Sequence, residues 1–271
     1  MKECIYSKFI LDGRVADCEH FHPVLINEGI SLYEVIRVIR GKFLFADDHI
    51  KRLINSSRLA RLNIWYSEDE ISEMIRRLPD LNRISEGTVK IVFNFINGKK
   101  HHFLAYFVPH LYPNHSDYEY GVKVITYPFI REDPNKKIWQ PGFRADVNEI
   151  IQKKHVYEVL LVDENNLITE ASRANFFTIR HDKVYTPPAD KVLPGITRKY
   201  VLLICKKNNL AVIEKDIHVN NLKEYDAAFL TGTSPKVLPI AIIDHLNFGV
   251  SNKVLRLLMD QFNRLVEEQV G

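Results

Sequence analysis

The sequence predicts an α+β protein built as two domains, and three observations carry that prediction. Short apolar segments mark strands in both halves, with alternation in KFILDGRV and YEVIRVIRGKFLF and further strands at TVKIVFNFI early and GVKVITY and YEVLLV later. Helical spacing interrupts the strands irregularly, so the strict alternation of a doubly wound sheet is missing. Between the halves, residues 109–120 are rich in Pro, Asn, His and Asp and read as a linker. The division that follows is a smaller domain over 1–115 and a larger one over 116–271.

In the first half, Arg40-Gly41-Lys42 supplies a hairpin turn, and Asp47-Asp48 offers an N-cap. The helix after it carries Ile50, Leu53, Ile54, Ser57 and Ala60. A second helix starts near Ser67 with Ile71, Met74, Ile75 and Leu78 on one face, and Pro79 is expected to end it. Strands at 88–96 and 102–108 are joined by Asn97-Gly98.

The second half opens with a strand at 121–127 and an irregular stretch, REDPNKKIWQPG. A helix over about 143–153 has Phe143, Val147, Ile150 and Ile151 on one face. Strands at 157–162 and 167–179 flank the turn Asp163-Glu164-Asn165-Asn166. A helix from about Thr197 to Lys207 turns Tyr200, Val201, Ile204 and Cys205 inward. Strands at 211–214 and 226–230 precede a last helix near Ser251 that buries Val254, Leu255, Leu258, Phe262 and Leu265.

Composition narrows the function. With 271 residues the chain is long enough to bury a full core. Hydrophobic residues are 46% and charged residues 26%, the balance of a globular protein rather than a disordered one. Net charge is only +3, which gives no footprint for nucleic acid. No apolar run reaches the roughly 18 residues of a membrane span, and no signal peptide is visible, so the cytoplasm is the expected address. Cys4, Cys18 and Cys205 are three widely spaced cysteines, from which neither a disulfide framework nor a metal site is expected. Cys205 reads as a buried thiol on its helix. The eleven His show no HExxH pattern, and GxxxxGK[ST], GxGxxG and GxSxG are all missing.

Glycine is scarce, 11 of 271, so each one carries information. Gly195 precedes Ile196-Thr197-Arg198 and a helix. Gly232 sits between Thr231 and Thr233-Ser234 after an apolar strand. A glycine lets a backbone approach an anion, the following amides donate to it, and a helix N-terminus adds partial positive charge. The same residues also suit a plain turn and a helix cap. Glu170 lies between apolar residues of its strand and needs a partner if buried, either a protonated ring nitrogen or an arginine. Lys136 and Lys137 stand in the irregular stretch, where a desolvated amine is useful for Schiff-base chemistry and a solvated surface charge is the plain alternative.

In chain order, LYEVIRV, DDHIKRL, YEVLLVDENNLITEASRANFF, YTPP, VLPGITR and TGTS resemble the class IV aminotransferases. These are the fold-type IV pyridoxal-phosphate enzymes, which include branched-chain and D-amino acid aminotransferases and aminodeoxychorismate lyases. The resemblance runs from about residue 8 to residue 245. It implies a two-domain fold with pyridoxal phosphate in the interdomain cleft and a homodimer, the larger domain carrying the cofactor lysine.

Residue by residue, the resemblance makes Lys137 the Schiff-base lysine and Glu170 the partner of the pyridine nitrogen. Arg52 resembles the phosphate arginine. Gly195, Ile196, Thr197, Gly232 and Thr233 would form a phosphate cup, and Leu193 would pack against the ring. Tyr33 and Arg37 match substrate-side positions, and Lys100 and His102 match a basic pair for a substrate carboxylate. Gln140, Gly142, Phe143 and Ala171 depart from common family patterns, as does INEGISL before Tyr33. The implied function is a cytoplasmic aminotransferase that takes a branched-chain-type amino acid and passes its amino group to 2-oxoglutarate. An aminodeoxychorismate lyase releasing pyruvate and a catalytically silent cofactor-binding protein are the alternatives.

Overall fold

A computed structural model describes residues 3–271 of the chain. Two compact units emerge from the packing. One is Met1–Leu111 with Lys136–Pro141 and Val266–Gly271, and the other is Tyr112–Asn135 with Gly142–Leu265. The sequence division at 115/116 differs from this mainly in two short segments. Lys136–Pro141 packs with the first unit because its backbone continues the edge of a strand there. Tyr33 N–H donates to the Lys137 carbonyl at 3.1 Å, and Trp139 N–H donates to the Ser31 carbonyl at 2.8 Å. Val266–Gly271 is tied by Arg40 to Glu267 at 2.9 Å and by Lys42 to the Gly271 carbonyl at 2.6 Å.

The first unit runs β1 (Lys8–Leu11), β2 (Arg14–Asp17), α1 (Val24–Asn27), β3 (Ile30–Ile39), β4 (Lys42–Phe43), α2 (Ala46–Leu59), α3 (Glu68–Arg76), α4 (Leu78–Asn82), β5 (Gly87–Ile96) and β6 (Lys99–Phe107). Its sheet has the order β2-β1-β6-β5-β3-β4, all antiparallel. Alternation along β3 and β5 sends two sets of side chains to opposite faces. Leu32, Ile36, Val89, Ile91 and Phe93 join Ile50, Leu53, Ile71 and Ile75 of α2 and α3 in one core cluster. Phe9, Val92, Leu104 and Tyr106 form a second cluster with Cys4 and Cys18.

One expectation for this unit is corrected and another is extended. Cys4 and Cys18 form a disulfide, although their spacing suggested no pairing. The hairpin of β1 and β2 folds the intervening chain back, so a separation of 14 residues becomes 6.0 Å between Cα atoms. The second helix ends at Arg76, before Pro79 as expected, and Pro79 opens a further short helix. It sits in the first turn of α4, where a missing N–H costs nothing.

The second unit runs α5 (His115–Tyr120), β7 (Val122–Pro128), α6 (Pro141–Lys154), β8 (Glu158–Val162), β9 (Leu167–Ala171), β10 (Asn175–Arg180), β11 (Lys183–Thr186), α7 (Ile196–Lys207), β12 (Val212–Glu214), β13 (Ile217–His218), β14 (Ala227–Gly232), β15 (Lys236–Ile243), β16 (Leu246–Asn247) and α8 (Lys253–Val270). Strand order is β12-β11-β10-β14-β15-β7-β8-β9-β13, with β16 on β15. The supposed linker contains α5, because Asn114 and Asp117 cap each other reciprocally at its start. The predicted strand 167–179 is broken at Ser172–Ala174 into β9 and β10. Only three residues connect these strands, yet they lie far apart in strand order, so the sheet must curl to bring its ends together. The mixed architecture with two sheets matches the predicted α+β class.

Candidate active site

Lys137 belongs to the first unit and lies against β3. Its Nζ is 4.7 Å from the centre of the Tyr33 ring, and its backbone N–H meets Ser56 Oγ at 3.3 Å. Tyr33 packs edge-on against Trp139, with ring centres 5.5 Å apart. A short antiparallel bridge between Leu32 and Ile138 holds this lysine segment on the strand. Tyr33 and Arg37 are four residues apart on β3 and therefore share a face.

Glu34 points to the opposite face, where α2 presents Arg52 and His49. The Glu34 carboxylate is fully buried and takes two charge-assisted hydrogen bonds from Arg52, from Nε and Nη2, each at 2.7 Å. His49 Nδ1 lies 2.9 Å from Glu34 Oε2. Burial alone would raise the Glu34 carboxyl, but the Arg52 charge and hydrogen bonds outweigh it and hold it far below the usual carboxylate range. Burial lowers His49; Glu34 opposes this, while the charges of Arg52 and Lys137 add to it. Glu34 and His49 were missed in the sequence. Their signal was present: a glutamate opposite a helix carrying His and Arg at i, i+3.

The second unit gathers the other predicted residues. Glu170, on β9, is 3% exposed. Its Oε2 accepts the Leu193 N–H at 3.1 Å, and Oε1 lies 3.2 Å from Arg131 Nε. The arginine partner raised from the sequence is therefore present in the structure. Asn175 Nδ2 donates to the Leu193 carbonyl at 2.9 Å and approaches Glu170 Oε2 at 3.5 Å. Thus Asn175 and Leu193 orient the carboxylate together.

Gly195 precedes α7, and no side chain caps that helix start. The amides of Ile196 and Thr197 lie in this first turn. A β-carbon on Gly195 would stand 1.9 Å from Asn175 Oδ1, so only glycine fits this approach. Across β10 and β14, Asn175 faces Thr231 directly. Thr231 Oγ1 is buried and has no hydrogen-bond partner among the described residues. A bare helix start and an orphaned hydroxyl fit the demands of a phosphate. Gly232 ends β14, and Thr233 follows it. Thr231 was not among the predicted ligands, because its orientation depends on strand register.

The remaining predicted pair has other partners. His102 Nδ1 is 2.8 Å from Asp12 Oδ2, and Lys100 Nζ is 5.7 Å from the Trp65 ring centre. The departures noted in the sequence fall at the start of α6, at the end of β9 and, for INEGISL, from the end of α1 into β3. At the start of α6, Phe143 stacks on Phe129 at 4.1 Å between ring centres, filling space with aromatic rings.

The first unit thus presents a lysine beside an aromatic ring, and the second, by itself, a buried oriented carboxylate and an uncapped helix start. The chain belongs to the amino-transferase class IV family, whose model matches residues 31–243. It is 28% identical over 234 residues to D-alanine aminotransferase of Bacillus licheniformis, covering 82% of this chain and 81% of that one. Branched-chain amino acid aminotransferase of Escherichia coli has a similar fold, with a TM-score of 0.86 at 20% identity over 98% of this chain and 97% of that one. A Legionella pneumophila protein assigned as a 4-amino-4-deoxychorismate lyase gives a TM-score of 0.77 at 22% identity, covering 89% and 91%. The chain is a pyridoxal-phosphate-dependent enzyme of the aminotransferase type. Among the described residues no helix is long and apolar enough to cross a membrane.

Proposed function

We propose that this enzyme transfers the amino group of an apolar, branched-chain-type amino acid to 2-oxoglutarate. The observation that carries the donor class is the wall of Tyr33 and Trp139 beside Lys137, which favours an apolar side chain by excluding water. Lys137 is the proposed attachment point for the cofactor and the general base that takes the substrate Cα proton. Glu170 holds a proton on the pyridine nitrogen, oriented by Asn175 and Leu193. Gly195, Ile196, Thr197, Gly232 and Thr233, with Thr231 added, are the proposed phosphate ligands of the second unit, and Arg52 that of the first. Bound pyridoxal phosphate supplies the electron sink that stabilises negative charge at the substrate Cα.

The proposed setting is a homodimer in the cytoplasm, with a small amino acid and a 2-oxo acid as partners. The test is a screen of L- and D-amino acids against the loaded enzyme, read by cofactor absorbance and by pyridoxamine phosphate formed without any 2-oxo acid. Leucine, isoleucine and valine are expected to convert the cofactor fastest. Conversion by D-alanine alone would overturn the donor class. Pyruvate release from aminodeoxychorismate without pyridoxamine phosphate would establish the lyase instead, and no response to any substrate would leave the silent binder. Sizing by light scattering checks the dimer.

A further inference from the structure

β5 is buried along nearly its whole length, yet it carries a lysine. Lys90 is 3% exposed. Its Nζ lies 3.4 Å from the centre of the Trp139 ring and 5.5 Å from that of Tyr33, the ring beside Lys137. A buried cation stabilises a fold poorly, since a well-packed apolar residue usually does as well or better. Lys90 therefore calls for another reason.

Its ionic partner is Glu3, which lies outside the sheet. Lys90 Nζ donates to Glu3 Oε1 at 2.7 Å, and Tyr106 O–H donates to the same oxygen at 3.0 Å. Tyr106 is fully buried, and its ring is 6.0 Å from Lys90 Nζ. Burial first, then the Glu3 charge, push the Tyr106 phenol well above its ordinary range, so it stays a donor. Both donors are rigidly placed on paired strands, with Lys90 opposite Tyr106 in the register. The carboxylate is the less anchored member, with a side chain 24% exposed. Its chain is held beside the donors by the Cys4–Cys18 disulfide at the next residue.

We propose that Lys90 and Tyr106 form a carboxylate-binding site, that Glu3 is its internal occupant, and that a small dicarboxylate competes with Glu3 for it. The donor pair stands on the geometry alone; the choice of a 2-oxo dicarboxylate as the natural competitor rests on the proposed aminotransferase function. A tethered occupant acts at high effective concentration, so it weakens the apparent affinity of the competitor without altering the donors.

The test is calorimetric titration of the loaded enzyme with succinate, which has neither an amino nor a keto group and cannot react. Glu3→Ala should bind succinate roughly tenfold or more tightly than the natural chain, as loss of an intramolecular competitor requires. Glu3→Gln should shift affinity in the same direction by less. Adding Lys90→Met to Glu3→Ala should abolish the gain, and adding the milder Tyr106→Phe should remove part of it. Unchanged affinity in both Glu3 variants, or a gain that survives Lys90→Met, would overturn the proposal. Because succinate binding needs no turnover, tighter binding in a protein that transaminates nothing would sink only the proposed function.

Discussion

The cluster around Arg52 in the first unit and the cluster around Gly195 in the second hold the proposed phosphate ligands, and they are built by different means. Arg52 is a buried cation, and the protein neutralises it with an equally buried Glu34 and a neighbouring His49. The Gly195 cluster uses backbone amides, a bare helix start and a glycine that lets Asn175 close in. Side-chain charges need compensating partners, and their strength depends on pH. Backbone donors need only a fixed shape. The first cluster should therefore fail through unpaired charge, and the second through added volume.

The largest effect is expected at neither cluster but at the lysine. Lys137→Ala should lower turnover by about 10²–10⁴ from the lost proton transfer alone, more if attachment is lost too. Retained cofactor absorbance after borohydride reduction and denaturation would show that another lysine carries it. Next comes the charge test. Glu34→Ala leaves Arg52 buried beside no carboxylate and should cost about 3–5 kcal/mol, measured by urea unfolding. A cost below 1 kcal/mol would mean that water reaches the guanidinium.

The same pair sets the acid limit. Glu34 titrates in the folded state well below its unfolded range, so the pair contributes fully above about pH 4.5. That contribution is lost as pH falls toward the folded value. His49 adds in the same direction: burial lowers its folded pKa, so stability falls below about pH 6.5. Unfolding curves from pH 7 to pH 3 should flatten in Glu34→Gln, and an unchanged slope would place the acid sensitivity elsewhere.

Volume is the test of the second cluster. Gly195→Ala should cost about 1–3 kcal/mol, because the new carbon must displace Asn175 from Leu193 and Glu170. Gly232→Ala meets Pro235 at 3.1 Å and should cost less, about 1 kcal/mol. Equal costs would remove the special status of the Asn175 approach. The smallest effect belongs to Thr231→Val. With no partner for its hydroxyl among the described residues, stability should change by less than about 1 kcal/mol. Affinity for pyridoxal phosphate should fall severalfold, read by fluorescence titration, and unchanged affinity would take Thr231 out of the phosphate ligands.

Local patterns in the sequence carried most elements. Alternation marked β1 and β3, apolar segments marked β5, β7 and β8, and helical spacing marked α2, α3, α6, α7 and α8. Two short helices were missed for one reason, since Pro, Asn and Asp serve both loops and helix starts: α4 begins around Pro79, and Asn114 caps α5. The ordered motifs also pointed to the family, and with it to Lys137, Glu170 and the glycines.

What the sequence alone determined was the inventory: the α+β class, the order of the family motifs, and the residue types each motif carries. Only tertiary structure decided the partners. Glu34 with Arg52, Asn175 against Gly195 and Thr231, Cys4 with Cys18, and Glu3 on Lys90 and Tyr106 are all pairs distant or unremarkable in sequence. The physical reason is common to them. Helix and strand periods are properties of neighbouring residues, whereas a hydrogen bond or ion pair between strands is set by register and closure. Register is chosen by burying one face of the whole sheet, which no local window contains.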